Sequence, residues 1–269
     1  MYRQRFGLHS HVFPQSACGK TFTETERFAK LRKRFERLAR DPGLGVLTAE
    51  AGLGKTTAMR HLCGLLPRPD YQVVYICDTA TSPLAFYRQL SQEFGLDAHH
   101  RRDQLWRDLK ETILHLVDDK GTQPVIVCDE AQHLSDHFLS DLAGFLNFTF
   151  DSRNPLVFWL VGQPALRARL GMQQHAALES RVAAKLALEP IATRDEFASF
   201  LQSGLDAAGA TSKIVAEPAQ ELLFRASRGV PRRIAHLLRE ALYLCHEREQ
   251  NFLDETTLEA VLDEEEGFR

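Results

Sequence analysis

The sequence predicts an α/β fold: a parallel sheet flanked by helices, followed by a smaller domain made of helices alone. Three features carry that expectation. A short apolar run, Leu44 to Leu47, passes through a glycine-rich loop into a helical pattern from Thr57 to Leu66. A second run, Val125-Ile126-Val127-Cys128, is rich in β-branched residues and ends in the carboxylates of Asp129-Glu130. From Thr193 onward only helical periodicity and turns remain.

The first feature organises the chain. Strand, glycine loop, Gly-Lys-Thr and helix, in that order, form a phosphate-binding arrangement. Gly52 and Gly54 let the backbone bend so that successive N–H groups converge on phosphate oxygens, and the following helix start adds partial positive charge. The expected nucleotide-binding residues are Glu50, Ala51, Gly52, Leu53, Gly54, Lys55, Thr56 and Thr57. Lys55 is suited to reach β- and γ-phosphates, and the Thr56 hydroxyl to hold Mg²⁺. The usual pattern begins with glycine where this chain has Ala49. That position lies at the strand exit, where a methyl group is expected to fit.

Composition narrows the class. Of the 269 residues, 44% are hydrophobic and 26% charged, as in ordinary globular proteins. No apolar run approaches the roughly 20 residues that cross a bilayer, and Met1-Tyr2-Arg3-Gln4-Arg5 leads into no signal-like segment, so a cytoplasmic protein without membrane association is expected. Cys18, Cys63, Cys77, Cys128 and Cys245 are scattered without a C-x-x-C, and read as reduced core residues. Net charge is −3, unevenly spread: residues 1–40 hold ten Lys/Arg against three Glu. Any nucleic-acid contact is therefore a local patch or is shared among several copies.

Taken in order, Phe6-Gly7-Leu8 and Val12-Phe13 form an apolar cluster, either a hydrophobic staple or a wall for an adenine ring. Thr23-x-x-Glu26 is a capping box opening a helix to about Arg40, with Phe28, Leu31, Phe35 and Leu38 on one face and Lys30, Arg32, Lys33, Arg34 and Arg37 elsewhere. Asp41-Pro42-Gly43 turns into the first strand. Val73 to Cys77 reads as a buried strand. Ser82-Pro83 starts the next helix and Gly95 follows its end. His99-His100-Arg101-Arg102 is a polar loop without the further ligands a metal site needs. Asp103 to Val117 is an amphipathic helix. The acids after Cys128 lie at the C-terminal end of a strand, where open α/β sheets bind ligands. Asp129 is suited to a Mg²⁺-bound water, and Glu130 to orienting and deprotonating the attacking water. Leu156 to Val161 is a further strand, which puts Gln163 at the same sheet edge. A last strand is expected at Lys185 to Leu188. Thr193-x-x-Glu196 opens the first of four helices, at about 194–208, 217–227, 231–247 and 254–263, and Asp263-Glu264-Glu265-Glu266 reads as a solvated acidic tail.

The chain resembles the AAA+ ATPases, most closely the branch that includes ExeA-like and TnsC/TniB-like proteins. The resemblance rests on Phe6-Gly7-Leu8 with Phe13, Glu50 through Thr57, Asp129-Glu130-Ala131-Gln132-His133-Leu134, Val161 through Arg167, Arg181-Val182, and Gly229-Val230-Pro231-Arg232-Arg233-Ile234. It implies an AAA+ parallel-sheet P-loop NTPase core with a C-terminal α-helical lid. The implied divisions are residues 1–40, an N-terminal segment and basic helix on the core; 41–190, the ATPase core; and 191–269, the lid. It puts Gln163 at the sensor-1 place, Arg181 at the arginine-finger place reaching a neighbour's ATP, and Arg232 at the sensor-2 place. Arginine suits the last two because its guanidinium is always charged and forks onto phosphate oxygens. Departures are Ala49, and Val12 where relatives often have proline.

What the resemblance implies is an ATPase using ATP and Mg²⁺ that regulates DNA transposition. Copies would form a ring or filament on double-stranded DNA, recruit a transposase and a target-selection protein, and disassemble on hydrolysis. Arg101 and Arg102 are the residues nominated for DNA. Secretion-type ExeA proteins carry a membrane span and a cell-wall-binding domain. Neither is found here, which leans the expectation toward transposition. The alternatives are an ExeA-like secretion or assembly ATPase without DNA, and a helicase-loader-like switch.

Overall fold

The computed structural model describes residues 2–17, 19, 22, 26–97 and 99–267. In chain order the helices and strands are α1 (Tyr2–Arg5), α2 (Glu26–Arg40), β1 (Leu44–Thr48), α3 (Lys55–Gly64), β2 (Tyr71–Ile76), α4 (Pro83–Glu93), α5 (Arg102–Asp118), β3 (Gln123–Cys128), α6 (Asp136–Phe145), β4 (Val157–Gly162), α7 (Pro164–Leu170), α8 (Ala176–Glu179), β5 (Val182–Ala187), α9 (Arg194–Ala208), α10 (Glu217–Ser227), α11 (Pro231–Glu247) and α12 (Glu255–Gly267). The expected α/β fold is present.

The described chain divides into two compact units. One comprises Lys30–Glu50 and Leu65–Leu188; the other comprises Met1–Ala29, Ala51–Gly64 and Glu189–Arg269. The first holds a five-stranded sheet in the order β2-β3-β4-β1-β5, with every pair parallel. Parallel pairing needs crossover connections, which the intervening helices supply. Thr48 lies opposite Gly162 and Cys128 opposite Leu160, so β1, β3 and β4 end along one sheet edge. Near-continuous apolar runs make β3 and β4 because both their faces are covered. Leu90, Leu109, Ile113, Phe138 and Phe145 from α4, α5 and α6 cover one side. On α2, Phe35 stacks against Trp159 of β4 at 5.7 Å, and Gly45 leaves the room that indole needs, since a Cβ there would lie 2.5 Å from it.

The second unit carries the C-terminal helices. Thr193 caps α9 by accepting the Glu196 N–H at 3.2 Å, which is the forward half of the expected capping box, while the Glu196 carboxylate accepts the N–H of Ala192, one residue before the cap. Helices α9, α10 and α11 keep the predicted bounds. Leu201, Leu223, Ile234, Leu238, Leu242 and Leu258 form their shared core.

Several expectations are corrected. β2 is an edge strand, so Val73 and Tyr75 stay exposed and the strand is not buried as a whole. Cys77, just past its end, is exposed, not a core residue. Cys128 and Cys245 are buried, and burial pushes the Cys63 thiol up to about 12. The acidic tail is helical: α12 runs through it, and Glu265 lies 2.9 Å from His236 Nε2 and 3.6 Å from the Arg233 guanidinium. The N-terminal segment divides. Phe6, Leu8 and Val12 are buried among the C-terminal helices, and Phe13 stacks on Phe200 at 4.4 Å, so this apolar cluster is taken up by packing. The Thr23-x-x-Glu26 cap and Cys18 lie outside the described residues.

Candidate functional site

The loop after β1 has the backbone that its glycines predict. Gly52 and Gly54 sit at φ +85° and +86°, a region closed to most side chains. A Cβ on Gly54 would meet nothing within 4 Å, so it is the positive φ and not crowding that favours glycine there. Ala49 is buried, has no positive φ, and gives its N–H to the Gly162 carbonyl at 3.0 Å. The methyl at the departed glycine position therefore fits without backbone strain. Lys55 is the first residue of α3 and only 6% exposed, and Thr56 and Thr57 follow in the same turn. Glu50 and Ala51 are exposed, while Leu53 is buried and anchors the turn. Within the same unit the loop meets the start of α11: the Arg232 N–H donates to the Gly52 carbonyl at 3.1 Å. A Cβ on Gly52 would lie 3.0 Å from Val230 and 3.2 Å from Arg232. Glycine at position 52 is thus favoured by φ, and this approach leaves little room for a Cβ.

In the other unit, the ends of β3 and β4 build a connected acid cluster. Asp129 is 2% exposed; Tyr75 donates its hydroxyl to Oδ2 at 3.0 Å and the Glu130 N–H donates to Oδ1 at 2.9 Å. Glu130 adopts φ +51°, the left-handed region in which a non-glycine residue is strained. Its carbonyl accepts the Thr79 hydroxyl at 2.8 Å, and its Oε2 accepts Gln132 Nε2 at 2.6 Å. The other end of the Gln132 amide accepts the Gln163 N–H at 3.0 Å. A backbone N–H can meet only the amide oxygen, so the amide nitrogen must face Glu130. A Cβ on Gly162 would lie 2.8 Å from that oxygen, so this glycine is what admits the amide. Arg169 donates to the Gln132 carbonyl at 2.9 Å and pairs with Asp136. The Arg169 guanidinium, then buried His175, hold the Asp136 carboxyl below its ordinary range. Sequence reading missed Tyr75, Thr79 and Gln132. Gln132 alone had a local signal, its place two residues after the acids.

Gln163 caps α7 from the end of β4, one residue beyond the sheet. Arg181 immediately precedes β5, and both its terminal nitrogens grip Asp151, with Nη2 to Oδ2 at 2.9 Å. That guanidinium holds the Asp151 carboxyl below the usual carboxylate range. Arg101 pairs with Asp103 at 2.8 Å. Arg102 pairs with Asp141 through two nitrogens and lies 3.8 Å above the Trp106 ring. Thus Asp129, Glu130 and Gln163 share one hydrogen-bonded network, and Arg232 meets the glycine loop. Arg181, Arg101 and Arg102 are each occupied by a carboxylate of their own unit.

The donor types fit magnesium with a polyphosphate. Each unit carries donors of the right type by itself: in one, the Thr56 hydroxyl and the backbone N–H groups of the turn at Gly54; in the other, the hard carboxylate oxygens of Asp129. Among the described residues no cluster of three or more His, Cys, Asp or Glu forms a separate metal site.

Residues 37–170 match the AAA domain family. This stretch is an AAA domain. The AAA domain takes in β1 to β4 and all of the glycine loop. The chain is 30% identical over 246 residues to the General secretion pathway protein A of Aeromonas hydrophila, covering 90% of this chain but 44% of that relative, so the chain spans less than half of its length. Among solved structures, the ORC2 protein of Aeropyrum pernix matches with a TM-score of 0.71 at 17% identity, covering 96% of this chain and 72% of that one. Cdc6p of Pyrobaculum aerophilum matches at 0.69 with 18% identity, covering 90% and 67%. The RuvB Holliday junction branch migration motor of Thermotoga maritima matches at 0.60 with 15% identity, covering 90% and 70%. At these identities the structures speak to fold alone, and the AAA domain and the helices after it have the AAA+ P-loop fold. No described helix is long and apolar enough to cross a membrane.

Proposed function

We propose that the chain binds and hydrolyses MgATP and uses the cycle to assemble copies of itself on double-stranded DNA, in the manner of a transposition regulator. The observation that carries the ATPase part is the Glu130 carboxylate, fixed by the Gln132 amide at 2.6 Å beside buried Asp129, in a chain whose glycine loop is shaped for phosphates. In this reading the loop amides and Lys55 hold the β- and γ-phosphates, and Thr56 with Asp129 serve the metal. Magnesium supplies charge neutralisation on the transferring phosphoryl group. Glu130 orients a water and takes its proton, and Gln163 marks the state of the γ-phosphate through its hydrogen bond to Gln132. Arg232, tied to the loop through its backbone, closes on the phosphates.

Arg181 serves a neighbouring subunit's nucleotide. Asp151 holds it until that neighbour arrives, so turnover depends on assembly. Turnover per subunit should therefore rise with protein concentration and with added duplex DNA. Arg181→Ala should stay low, by about 10³-fold against the assembled protein. A normal, concentration-independent rate in that variant would remove the shared site. Recruitment of a transposase and a target-selection protein belongs to the same reading.

One observation favours a second reading. The 30% identity to a General secretion pathway protein points to an ATP-driven assembly factor acting on protein partners without DNA. Negative-stain imaging with a slowly hydrolysed ATP analogue separates the two. Filaments or rings that need duplex DNA support the first, and DNA-independent assembly supports the second.

A further inference from the structure

The cations nominated from the sequence for DNA are already paired; another set is not. From Phe28 to its end, every exposed residue of α2 is lysine or arginine: Lys30, Lys33, Arg34, Arg37 and Arg40. Their spacing of three and four residues puts all five on one stripe of the helix. Among the described residues none of the five takes part in an ion pair, whereas Arg32, off the stripe, pairs with Glu36 at 2.9 Å. The opposite face is fixed: Leu31, Phe35 and Leu38 are buried, and Phe35 is stacked on the sheet through Trp159. The stripe is therefore a rigid row of charge about 15 Å long at ~1.5 Å per residue.

We infer that this face of α2 binds the phosphate backbone of duplex DNA. The inference rests on the DNA part of the proposed function and names the surface that serves it. Chemistry narrows the partner. A duplex carries about one negative charge per 1.7 Å of axis, so a row of this length faces several phosphates at once. Single strands are gripped by aromatic platforms, and the stripe exposes no aromatic ring. A membrane surface calls for an apolar face free to insert, and the apolar face of α2 is committed to the core. A row of cations without base-reading amides contacts phosphate without sequence preference.

The test uses the full chain with a fluorescent random-sequence duplex, titrated by anisotropy from 50 to 200 mM salt with a slowly hydrolysed ATP analogue. The variant Lys30→Gln/Lys33→Gln/Arg34→Gln/Arg37→Gln should bind about 100-fold more weakly, and the slope of log affinity against log salt should flatten by about 3 to 4. The variant Lys33→Gln/Arg37→Gln should show about half that slope change, which keeps the test decisive if the fourfold variant is unstable. Arg101→Gln/Arg102→Gln should bind within about twofold of the unmutated protein. Unchanged affinity and slope in both α2 variants, with duplex binding intact in the parent, overturns the inference and leaves the proposed function standing. No duplex binding by the parent overturns both. Loss of binding to anionic phospholipid vesicles in the α2 variants, with duplex binding unaffected, also overturns it.

Discussion

Two strand ends meet the same geometric demand by opposite means. After β1 the chain must turn with positive φ, and it does so through Gly52 and Gly54. After β3 it turns with positive φ again, but through Glu130, a residue with a side chain. The difference follows from what each turn must present. The first presents backbone N–H groups, so side chains are dispensable and glycine removes the strain. The second presents a carboxylate, so glycine is excluded and the strain, of order 1–3 kcal/mol, must be held by neighbours. Asp129, Thr79 and Gln132 do this by bonding the N–H, the carbonyl and the carboxylate of Glu130 in turn. A glycine turn is locally encoded; a strained turn that presents a carboxylate is encoded by its surroundings.

That contrast can be broken from either side. At the first turn Lys55→Ala should bring ATP turnover to background and weaken nucleotide affinity by about 100-fold or more, read with a fluorescent ATP analogue. Retained affinity would refute the phosphate-loop assignment. At the second turn Glu130→Gln should keep nucleotide affinity while turnover falls by about 10²–10⁴-fold, leaving assembled protein trapped. Rapid turnover by that variant would remove Glu130 as the base. Gln132→Glu is nearly isosteric and still accepts the Gln163 N–H, but it sets a second carboxylate against Glu130. Like charges at that distance raise the proton affinity of the base and spoil its orientation. Steady-state turnover should fall about 10-fold with KM for ATP within about twofold, because the change acts on the chemical step. A rise in KM with unchanged kcat would assign Gln132 to binding instead. Thr79→Val removes only the bond to the Glu130 carbonyl. It should cost about 1–2 kcal/mol in urea unfolding and leave nucleotide affinity intact, and no change in stability would show that the strained turn needs no such support.

Much of the fold was legible because its signals are local. The glycine loop, the β-branched run before Asp129-Glu130 and the Thr193-x-x-Glu196 box each depend on residues within a few positions of one another. Helices α9 to α11 fell where their periodicity put them. Reading failed where burial depends on which strand lies beside which. Val73 and Cys77 look like core residues in isolation and are exposed because β2 closes an edge. Glu265 looks like part of a solvated tail and is paired because α12 lies against α11 in the same unit.

By itself, then, the sequence determined which chemical groups are on offer: a glycine loop with Lys55, the carboxylates of Asp129 and Glu130, and a stock of arginines. Only the tertiary structure decided how those groups are spent. Tyr75 reaches Asp129 from 54 residues before it, and Gln163 reaches Gln132, which holds Glu130, from 31 residues after it. Arg101, Arg102 and Arg181 are neutralised by Asp103, Asp141 and Asp151, while the row on α2 is not. Backbone conformation is set by neighbours along the chain, but a side chain's partner is set by strand order and helix packing, and no short window of sequence contains those.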